Sequence, residues 1–89
     1  MTYHTLRVCS NRGAFEAVPN GDGVLDLASV RARIEATGVS VLDCRVMLIA
    51  QMGREVTIGR DGRILIKTRD RAEAERILEQ VVPLVGVPR

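Results

Sequence analysis

One dipeptide constrains this chain more than anything else in it. Asp61-Gly62 separates two short β-branched runs inside residues 55–82, EVTIGRDGRILIKTRDRAEAERILEQVV. Asp-Gly between such runs is the strongest short-range hairpin signal, because a type I′ turn needs φ > 0 at both central residues. With a two-residue loop, Arg60 pairs with Arg63, Ile58 with Leu65 and Val56 with Lys67. Those six side chains then share one sheet face. A helix should follow at once: Asp70-x-x-Glu73 has capping-box spacing, and Ala74, Ile77, Leu78, Val81 and Val82 form an apolar stripe. Pro83 is expected to bend or end that helix.

Upstream, residues 3–10 alternate, with Leu6 and Val8 inward, and read as a first strand. Residues 14–18 read as a short second strand turning back. Pro19-Asn20-Gly21-Asp22-Gly23 is a loop. It lacks the alternating acidic oxygens and closing Glu of a calcium loop, and no Lys-Ser/Thr follows to make a phosphate loop. Asp26 should cap a helix carrying Leu27, Val30 and Ile34 on one stripe, with Gly38 closing it. Residues 39–52, VSVLDCRVMLIAQM, then read as one long strand. Its core row is Leu42, Cys44, Val46, Leu48 and Ala50, and Met47 and Ile49 lie on its other face.

The sum is a single α+β domain over residues 1–89. It is an antiparallel sheet of four to five strands with two helices packed on one face, in the order β(β)αβββα. The face away from the helices should carry Met47, Ile49, Val56, Ile58, Arg60, Arg63, Leu65 and Lys67. A sheet covered on one side ordinarily shows polar residues on the other, and this face is only half polar. Apolar side chains left there in water forgo about 1.5–3 kcal/mol each relative to burial. Such a face marks an interface.

The sequence offers little for chemistry. His4 is the only histidine, and no Ser or Cys sits in a recognisable nucleophile elbow. Asp43, Glu55 and Asp61 are spread over a strand interior, a strand start and a turn, so no catalytic residue is assigned. Cys9 and Cys44 stand 35 positions apart without CxxC spacing, which leaves them as core residues or a cross-strand disulfide and supplies no metal site. No cofactor is expected. Thirteen cations against eleven anions give a net charge of +2, too balanced to call for a polyanion partner. Two aromatics, Tyr3 and Phe15, provide no stacking platform for single strands. No basic-then-apolar leader opens the chain, and no run approaches a membrane span, so a cytoplasmic protein is expected.

From Leu25 onward the chain resembles one half-repeat of the TATA-binding-protein fold. The matching points are Leu25-Asp26-Leu27, the strand over residues 41–51, Gly62-Arg63-Ile64-Leu65-Ile66-Lys67-Thr68, and the close Leu84-Val85-Gly86-Val87-Pro88. The resemblance implies a sheet with helices on one side. It does not extend to DNA kinking: Gly59 stands where that family places a phenylalanine, and one half-repeat needs a second copy to rebuild a saddle. A similar Asp-Gly-Arg strand with an Asp-led helix occurs in small appendages of ThiF-type adenylyltransferases, which implies a place beside sulfur-carrier chemistry.

The expectation is therefore a non-enzymatic interaction module that self-associates through its sheet, as a homodimer or with a protein partner. Two alternatives stay open: nucleic-acid or phosphate-ligand binding by the Arg/Lys-framed face, and an accessory role to adenylyltransferase chemistry.

Overall fold

The computed structural model describes residues 3–9 in backbone, and residues 13–20 and 23–85 in full. The elements are β1 (Tyr3–Cys9), β2 (Ala14–Pro19), α1 (Leu27–Glu35), β3 (Val41–Asp43), β4 (Met47–Gln51), β5 (Glu55–Gly59), β6 (Ile64–Ile66) and α2 (Arg71–Val85). All strand pairs are antiparallel, in the order β1-β2-β6-β5-β4-β3. Strands β3 to β6 form a meander, which α1 carries to the far edge of the sheet and β6 brings back against β2. Both helices pack on one face, as the sequence pattern implies.

The core holds Phe15 and Ala17 from β2, Leu48 and Ala50 from β4, Val56 and Ile58 from β5, and Ile64 and Ile66 from β6. Val30 and Ile34 from α1 and Ala74, Ile77 and Val81 from α2 close over them. Each buried sheet residue pairs with another across the strands, for example Leu48 with Ile58 and Ile58 with Ile64. The expected inward side chains of β1, Leu6 and Val8, lie outside the described residues, as does Cys9.

Two local reversals differ from the sequence reading. Residues 39–52 are two strands, not one. The chain turns at Arg45, whose φ is 68°. Cys44 N–H donates to the Met47 carbonyl at 2.9 Å, Val46 N–H to the Cys44 carbonyl at 2.8 Å, and Arg45 N–H to Asp43 Oδ1 at 2.8 Å. The turn takes Cys44 and Val46 out of the expected core row, leaving Cys44 half-buried and Val46 59% exposed. Leu42, also assigned to that row, points away from the helices and is 62% exposed.

The second difference is the hairpin. Its loop has three residues, Arg60, Asp61 and Gly62. Gly62 N–H donates to the Gly59 carbonyl at 3.0 Å, Gly59 N–H donates to the Arg63 carbonyl at 2.8 Å, and Gly62 sits at φ 93°. That is a type I turn closed by a glycine bulge, the next commonest hairpin connection. The register moves by one, so Ile58 pairs with Ile64, Thr57 with Leu65 and Val56 with Ile66. Val56 and Ile58 consequently belong to the core, each 0% exposed, and not to the outer face on which the sequence reading placed them.

The helix ends follow local rules. Asp26 caps α1, accepting from Ala28 N–H at 3.2 Å and the Ser29 hydroxyl at 2.8 Å. The Ser29 hydroxyl is the main reason its carboxyl lies below the usual aspartate range. Asp70 Oδ1 accepts from Ala72 and Glu73 N–H at 3.0 and 3.4 Å. Glu73 does not return to Asp70; its carboxylate accepts from the Thr68 hydroxyl at 2.6 Å and pairs with Arg54 at 2.7 Å. Helix α2 runs through Pro83 to Val85, and Arg33 of α1 donates to the last carbonyls, those of Leu84 and Val85, at 2.6 and 2.9 Å. This charge at a helix C-terminus satisfies oxygens the helix cannot.

The Thr68 hydroxyl and then Arg54 hold the Glu73 carboxyl below its ordinary value of 4.5. A lowered folded-state value adds stability that is fully present above the unfolded value and lost as pH falls through the folded one. Glu73→Gln should therefore be less stable than the parent at pH 7. The gap should close as pH drops below 4.5, read from urea midpoints at pH 7 and in the acid limb.

Candidate functional site

With the corrected register, the uncovered face is built in cross-strand rows. One row runs Glu16, Leu65, Thr57, Ile49 and Leu42 across β2, β6, β5, β4 and β3. Met47 and Gly59 are partners in the row on the hairpin side, and Gln51 and Glu55 on the other. Leu42 and Met47 are 62% and 36% exposed, and Ile49 and Leu65 are half-buried with no layer over them among the described residues. Of the outer-face residues expected from the sequence, Met47, Ile49 and Leu65 stand here together; Arg60, Arg63 and Lys67 frame them.

An open groove of about 460 Å³ lies at the hairpin end of this face. Met47, Val46 and Leu65 give it apolar walls, Thr57 and Gly59 lie along it, and Glu16, Arg60, Asp61 and Arg63 rim it. A Cβ at Gly59 would stand 2.8 Å from Asp61 Oδ1, so a larger residue there would require the Asp61 carboxylate to shift. The loop beside it is fixed by its backbone. Arg60 N–H donates to the Val46 carbonyl at 3.0 Å, and Leu25 N–H donates to the Arg60 carbonyl at 2.8 Å. Asp61 Oδ1 also accepts from Arg63 N–H at 3.1 Å.

The cationic frame is largely neutralised from within. Arg63 lies 3.8 Å from Glu16 and 3.5 Å from Asp61, and Lys67 lies 2.7 Å from Glu55. Arg45 sits in the β3–β4 turn. These pairs are partly exposed, and each contributes about 0–1 kcal/mol to stability. Their larger consequence is a face of alternating sign, with no block of positive charge.

The carboxylates weighed for chemistry from the sequence each have a separate partner. Asp43 pairs with Arg31 at 3.5 Å, Glu55 with Lys67, and Asp61 with its own turn and Arg63. Cys44 is a free thiol. Among the described residues no group of three or more His, Cys, Asp or Glu is placed to hold a metal ion. No helix among them is long and apolar enough to cross a membrane.

Sequence reasoning missed Leu42, Val46, Thr57 and Gly59 as parts of this surface. The signal for Leu42 and Val46 was weak, since no Gly, Pro or Asn marks the turn at Arg45. No protein-family model matches the chain, and no curated protein and no solved structure matches it either.

Proposed function

We propose that this protein is a non-enzymatic interaction module that self-associates through the uncovered face of its sheet. The observation that carries this reading is the apolar cluster Leu42, Met47, Ile49 and Leu65 on a face that neither helix among the described residues covers. Monomeric proteins seldom keep a contiguous apolar patch with a polar rim in water. The charge pattern is compatible with a second copy, because Glu16, Glu55, Asp61, Arg60, Arg63 and Lys67 present both signs around the same cluster.

Phosphate or nucleic-acid binding finds less support, since Arg63 and Lys67 each already face a carboxylate. Leu65→Asp tests the reading. It places a charge at the centre of the face without touching the core, so the variant should stay folded by circular dichroism and run as a monomer. A Leu65→Asp variant with the parent's mass and concentration dependence would remove the uncovered face from the interface.

A further inference from the structure

We draw no further inference here: the strongest candidate, the open groove at the hairpin end of the uncovered sheet face, rimmed by Glu16, Arg60, Asp61 and Arg63, belongs to the face already described, and nothing in the structure shows what covers it.

Discussion

Ile58→Ala should lower the unfolding free energy by about 2–5 kcal/mol, the cost of a cavity at a fully buried isoleucine. For a chain of 89 residues the whole stability is on the order of 4–13 kcal/mol, so this one change removes a large share of it. Ile58→Asp should leave no folded protein, because an unpaired carboxylate would sit among Leu48, Ile64 and the helix side chains. Leu65→Ala, by contrast, should cost the protomer under about 1 kcal/mol, since Leu65 stands half-buried on the other face. The contrast is diagnostic. In a two-residue loop Ile58 and Leu65 would be cross-strand partners with the same environment, and the two alanine changes would cost alike. Urea midpoints of the two variants decide between the registers.

The second large effect belongs to Gly62. Its φ of 93° lies in the left-handed region, where a β-branched residue is strained, and the loop closes only if that residue keeps this conformation. Gly62→Val should therefore cost about 1–3 kcal/mol. Gly62→Asn should cost less, because its short amide side chain tolerates the left-handed region. Equal losses for the two would mean that φ at residue 62 is not what the hairpin requires. Denaturation midpoints read the difference.

The hairpin also shows how far the sequence could be read. Asp-Gly identified the reversal correctly but suits two loops, a two-residue type I′ turn and a three-residue turn with glycine as the bulge. The choice between them decides which way every side chain of β5 and β6 points. The half-polar face that the two-residue register produced was the symptom of a wrong count. Moved by one, Val56, Ile58, Ile64 and Ile66 separate cleanly from Thr57, Gly59, Leu65 and Lys67. Hydrophobic separation was the available signal, and it outweighs turn preference wherever one face is buried.

The turn at Arg45 was harder to see. A non-glycine residue at φ 68° is uncommon, and the segment on either side alternates as a continuous strand would. Only Asp43, whose carboxylate accepts from Arg45 N–H, hints at a reversal there. The α+β class and the one-sided helices were legible because they depend on the stripes Val30/Ile34 and Ala74/Ile77/Val81, which survive small errors of register. The outer face was legible in part. Met47, Ile49 and Leu65 were on it by alternation, while Leu42 joined it only once the long strand was broken.

The most direct test of the account is the solution mass of the unmodified protein, by light scattering over a wide dilution series at low and high salt. The account predicts a dimer of about twice 9.8 kDa that dissociates on dilution and holds at high salt, because its contacts are mainly apolar and its surface ion pairs contribute little. A 9.8 kDa species at every concentration would contradict it.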